Sequence, residues 1–69
     1  MSIAENIKRL REEKGLSQYE FARMVGVSQP MIAQIERGTK NPSFQIGVEI
    51  AKRFGISMEE LANGTDENA

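Results

Sequence analysis

Apolar residues recur at helical spacing in five separate stretches of this chain, and each stretch opens at a serine. Ile3, Ile7 and Leu10 share one face behind Ser2 and Glu5, a capping-box pair, and Gly15 then supplies a left-handed stop, so the spacing predicts a first helix over about 3–14. Ser17 and Glu20 repeat the box, with Leu16 and Phe21 spaced as a hydrophobic staple; a short second helix starts at Gln18 and must end near Gly26. Ser28 caps a third, which tolerates Pro30 in its first turn, staples Val27 to Ile32 and closes at Gly38. Asn41-Pro42 forces a turn before Ser43 caps a fourth helix over about 44–54, ended by Gly55. Ser57 with Glu60, and Ile56 with Leu61, open a short fifth. The polar residues 63–69 are expected to be a disordered tail behind a single domain of residues 1–62. No stretch reads as a strand, so the fold class is all-α.

Composition narrows what such a bundle can do. With no Cys and no His, neither a disulfide nor a usual structural zinc site can brace it, and a core this small supplies only about 3 to 5 kcal/mol. No cofactor and no metal are expected, and a reducing, cytoplasmic setting fits. No basic n-region with an apolar h-region opens the chain, and no run approaches the roughly 20 apolar residues of a membrane span, so no membrane partner is expected. The formal net charge of −1 argues against a nucleic-acid partner until its distribution is seen. Glu59, Glu60, Asp66 and Glu67 crowd one end, which leaves residues 1–58 at +3. A mild positive balance is also what ordinary solvated helix faces give, so the decision falls to the motifs.

The second and third helices carry the informative spacing. Over QYEFARMVGVSQPMIAQIER, Phe21, Val25, Val27, Ile32 and Ile35 point inward, Ala22 sits where two helices cross, and Gly26 sits at the bend. A near-perpendicular crossing through a turn this short needs a small residue at the contact and a residue tolerant of positive φ in the turn. Together with LREEKGLSQYEFA, the IERG closing the third helix, the NPS before the fourth and IAKRFGISMEEL, this pattern resembles the Cro/C1-type, or XRE, helix-turn-helix family of phage repressors and small bacterial regulators, over about residues 3–62.

The resemblance implies a five-helix, lambda-repressor-like DNA-binding domain whose third helix lies in the major groove while the second crosses the backbone. Gln29 and Gln34 would then read bases; a glutamine amide pairs bidentately with adenine N6 and N7. Pro30 and Met31 have no side-chain donors and could offer only apolar contact, for instance to a thymine methyl; relatives often carry polar residues there. Gln18 resembles the family's backbone-clamping glutamine at a helix N-terminus that already favours anions. Ser28, Arg37, Lys40, Asn41 and Ser43 are the further phosphate candidates. Arg11 and Glu36 match an ion pair with a structural role. Gly47 departs from the family's frequent leucine, and Ile46 with Ile50 reads either as a shifted core or as an exposed apolar strip for a partner.

The family binds paired half-sites, so a palindromic operator and a homodimer are expected, with Phe54, Ile56, Met58 and Leu61 as interface candidates that the core also needs. No ligand-sensing domain follows, so no small-molecule ligand is expected and switching would fall to concentration, a partner or proteolysis. An enzyme is disfavoured, since Asp, Glu, Lys, Ser and Tyr would have to do the chemistry and no glycine-rich phosphate loop is present. A protein-interaction module is the stronger rival, with the acidic end attracting a basic partner. Such a module would not need Gln18, Gln29 and Gln34 exposed together beside a basic loop.

Overall fold

The computed structural model describes residues 2–63, in five helices: α1 (Ile3–Glu13), α2 (Gln18–Val25), α3 (Gln29–Arg37), α4 (Phe44–Phe54) and α5 (Met58–Asn63). Among the described residues there is no strand. The boundaries follow the serine caps: Ser2 and Glu5, Ser17 and Glu20, and Ser57 and Glu60 close three reciprocal boxes, while the Ser28 and Ser43 hydroxyls accept from the Met31 and Ile46 N–H groups. The backbone N–H of Ser2 also holds the exposed Glu5 carboxyl below the ordinary carboxylate range. α1 stops one residue earlier than the spacing predicts, with Lys14 as its cap. Asn63 lies in α5 rather than in the tail expected there, and 64–69 fall outside the described residues.

Ile7, Phe21, Ala22, Ile32, Ile35, Ile50, Ala51 and Leu61 form one core, with Val25, Val27, Met31, Ile46, Phe54 and Ile56 packed half-buried against it. α3 is gripped between α1 and α2, and α5 returns to close the open side of α1. The Phe21 and Phe54 rings meet at 5.6 Å, tying α2 to the end of α4.

A second tie was not legible as such. Asn6 is fully buried, and its Nδ2 donates to the carbonyls of Leu61 at 2.7 Å and Glu60 at 2.9 Å, while its Oδ1 accepts from Arg9. An asparagine one position before the apolar Ile7 thus clamps α1 to α5.

Helix α4 corrects one expectation and explains one anomaly. Ile50 has no exposed surface and Ile46 is half-buried against the core, so the two form no exposed apolar strip. The shifted-core reading holds, and Gly47 shows why. A Cβ at Gly47 would stand 3.0 Å from the terminal methyl of Met58, which occupies the space a side chain would fill. Because that methyl is the end of a flexible side chain, Gly47→Ala is expected to be neutral or stabilising by up to about 1 kcal/mol. Gly47→Leu should displace Met58 and destabilise by about 1 to 3 kcal/mol. Urea midpoints of the two variants check this; a clear loss in Gly47→Ala would show that Met58 cannot yield.

Candidate nucleic-acid interface

The bend between α2 and α3 is set by backbone hydrogen bonding. Gly26 turns left-handed at φ +91°, and its N–H and that of Val27 both donate to the Ala22 carbonyl, at 2.8 and 2.9 Å. A side chain at Gly26 would be strained by φ alone. Ala22, 2% exposed, leaves the small contact that the crossing needs. The result places the N-termini of α2 and α3 side by side.

That juxtaposition creates a polar network. Glu36, with only 3% of its side chain exposed, accepts from Arg11 Nε at 2.7 Å and Nη2 at 3.1 Å, and also from Gln18 Nε2 at 3.0 Å. Gln18 Oε1 in turn accepts from Gln29 Nε2 at 3.0 Å. Arg11 adds a third tie, donating Nη1 to the Leu16 carbonyl at 2.6 Å. Its guanidinium is held further toward the charged form chiefly by the Glu36 hydrogen bond, which outweighs desolvation. No buried side-chain polar atom among the described residues lacks a partner.

The expected free glutamines are therefore arranged differently. Gln18 and Gln29 are half-buried and bonded to one another, and of the three only Gln34 is exposed. Gln18 keeps one amide hydrogen and its helix-terminal N–H for an anion. Gln29 keeps its oxygen and one hydrogen. On α3, Pro30, Gln34 and Arg37 follow at i, i+4 and i+7 along one exposed face. Met31 lies beside that face with much of its side chain committed to the core. Ala33, passed over in the sequence, sits half-exposed four residues from both Gln29 and Arg37; its small size among longer neighbours was the available signal.

Beyond α3, Arg37, Lys40, Asn41 and Ser43 are all exposed around the loop to α4. Among the described residues neither Arg37 nor Lys40 has an ion-pair partner, whereas Arg9 and Arg53 are each paired within their own helices, with Glu13 and Glu49. Ser28 and Ser43 spend their oxygens as caps, yet each hydroxyl hydrogen can still be donated outward. Leu61 has no exposed surface and cannot serve as an interface contact; its place is the core. Phe54 and Ile56 are half-buried in that core, and Met58 is 36% exposed. The described residues contain no cluster of carboxylates that could hold a metal, and no helix among them is long and apolar enough to cross a membrane.

The model of the helix-turn-helix family HTH_3 matches residues 7–61. The chain belongs to the Cro/C1, or XRE, type of this family. Within this helix-turn-helix family it is 42% identical over 65 residues to an uncharacterized HTH-type transcriptional regulator of Sinorhizobium fredii, covering 94% of this chain and 84% of that one. The P22 c2 repressor, solved in complex with a synthetic operator, superposes with a TM-score of 0.86 at 28% identity, over 93% of this chain and 97% of that one. SinR, a master regulator for biofilm formation solved in complex with DNA, gives 0.78 at 35% identity, over 86% and 95%. The helix-turn-helix of this chain thus lies in the fold of phage repressors, as the resemblance implied.

Proposed function

We propose that the protein is a sequence-specific double-stranded-DNA-binding transcriptional regulator, a repressor by its kinship, and that α3 reads the major groove. The observation that carries this reading is the exposed face of Pro30, Gln34 and Arg37 on α3, with the Gln29 amide edge beside it and, at one end, basic side chains that have no ion-pair partner among the described residues. Gln29 and Gln34 have the donors and acceptors for base edges, and Pro30 and the outer part of Met31 offer apolar contact. Gln18, Ser28, Arg37, Lys40, Asn41 and Ser43 flank them and would set the register on the phosphates. The P22 c2 repressor and SinR, which share this fold, were both solved in complex with DNA, which supports DNA as the partner.

This is a binding protein rather than an enzyme, and it works where the DNA is, in the cytoplasm. One domain of this size reads few base pairs, so the reading includes a symmetric homodimer on an inverted repeat. Met58 and the outer edges of Phe54 and Ile56 are the candidate apolar contacts for it.

Selection from a random duplex library at physiological salt tests the proposal. The expected product is one short inverted repeat with half-sites about 34 to 36 Å apart, one helical turn. A pool that stays unenriched while binding weakens steeply with salt would show a protein that holds phosphates and reads no sequence.

A further inference from the structure

The carboxylate of Glu36 does more than an ion pair requires. After taking two hydrogens from Arg11 it accepts a third from Gln18 Nε2, at 3.0 Å. A carboxylate only accepts, so Gln18 can face it only through its NH2 group; turned over, the Gln18 amide would set oxygen against oxygen. This decides which end of Gln18 meets Gln29. The oxygen does, and it accepts from Gln29 Nε2 at 3.0 Å, so the same argument orients the Gln29 amide. A charge with 3% of its side chain exposed, anchored by Arg11, thus fixes two successive amides, the second of which reaches the outer edge of α3.

The orientation has a consequence for recognition. Gln29 gives one of its two amide hydrogens to Gln18, which leaves one hydrogen and the oxygen, a single donor and a single acceptor side by side. Adenine presents the complement, with N7 accepting and N6 donating, whereas guanine presents two acceptors, N7 and O6, and would meet the amide oxygen with an oxygen. Without the anchor the amide can rotate, and ordering it falls to the binding step.

We propose that Glu36 is a positioning residue for base reading: through Gln18 it orients the Gln29 amide and so sets an adenine preference at the base pair Gln29 meets. The proposal rests on the reading of α3 as the base-reading helix. It assigns a residue inside the domain, with no expected DNA contact, a part in specificity as well as in stability.

The test uses Glu36→Met, which keeps the side-chain length and removes both acceptor oxygens, and Gln18→Leu, which leaves the Arg11–Glu36 pair in place and guards against a Glu36 variant that fails to fold. Both are studied at a temperature where circular dichroism shows native helix content. In the wild type the Gln29 side-chain amide protons should be well separated and slow to exchange. In both variants they should collapse toward the free-amide position while those of exposed Gln34 stay put. Competition between duplexes differing only at the Gln29 base pair should show adenine discrimination reduced about five- to tenfold, the effect of losing one pre-ordered side chain. Affinity for mixed-sequence duplex should hold within about twofold in the Glu36 variant, whose phosphate-facing side chains are all present; Gln18→Leu also gives up a phosphate contact, a loss common to every duplex that cancels in the discrimination. Unchanged Gln29 resonances or unchanged discrimination in folded Gln18→Leu would overturn the proposal. An ordered Gln29 amide in a wild type that discriminates no base pair would instead locate the failure in the reading of α3.

Discussion

Replacing Glu36 by alanine is expected to lower the free energy of unfolding by about 3 to 5 kcal/mol, the range for breaking a buried ion pair from one side. Among the described residues the Arg11 guanidinium would be left with only the Leu16 carbonyl and the more exposed Glu12 carboxylate, 3.8 Å away, as partners. Gln18 would lose its orienting acceptor as well. A domain of this size holds only about 3 to 10 kcal/mol in total, so the variant should be largely unfolded or close to it at room temperature. Removing both Arg11 and Glu36 should cost little more than removing either, because the two act as a unit. Urea unfolding of the three variants decides the matter. A loss within about 0.5 kcal/mol for Glu36→Ala would place the pair among ordinary surface contacts, against the 3% exposure of the Glu36 side chain.

Asn6→Ala should have the next largest effect on the fold, a loss of about 2 to 4 kcal/mol. Two backbone carbonyls at α5, those of Glu60 and Leu61, would lose the Asn6 donor, and the fully buried site would be left partly empty. The damage should be local first. Amide exchange in α5 should rise by more than exchange in α3, since Asn6 bridges α1 to α5 while α3 keeps its own packing on α1 and α2. A uniform rise across the domain would mean that α5 is not a separable unit, and no measurable loss would mean that Leu61 alone holds it.

These two predictions mark the boundary of what the amino-acid pattern reveals. Helix limits were legible because Ser2, Ser17, Ser28, Ser43 and Ser57 act on N–H groups within their own first turn, and Gly26, Gly38 and Gly55 end their helices through their own φ angles. Such signals are local, and one sequence contains both halves of each. The Arg11–Glu36 pair came from the family resemblance rather than from spacing, and the geometry agrees with it.

Asn6 was invisible for the opposite reason. Its partners are backbone carbonyls 54 and 55 residues away, which carry no side-chain identity to read. The same holds for Gly47, whose anomaly is resolved by a methionine on a different helix, and for the strip expected at Ile46 and Ile50, which helical periodicity alone could not orient. In the candidate site, the sequence placed Gln18 and Gln29 each at the first position of a helix, but not the two N-termini next to one another. Their mutual hydrogen bond, and their partial burial, follow from the crossing angle at Ala22 and Gly26.

The most direct measurement of base reading by α3 compares the wild type with the Gln29→Ala, Gln34→Ala double variant on the duplex that library selection yields, against a scrambled duplex of equal length. Both side chains lie outside the core, so the double variant should unfold at nearly the wild-type urea concentration. The wild type is expected to prefer its selected site by about a thousandfold or more. The double variant should retain the salt-sensitive affinity for scrambled duplex and lose most of that preference, about 2 to 6 kcal/mol for two bidentate contacts. A double variant that kept the full preference would contradict base reading by α3 and assign the specificity to another face of the molecule.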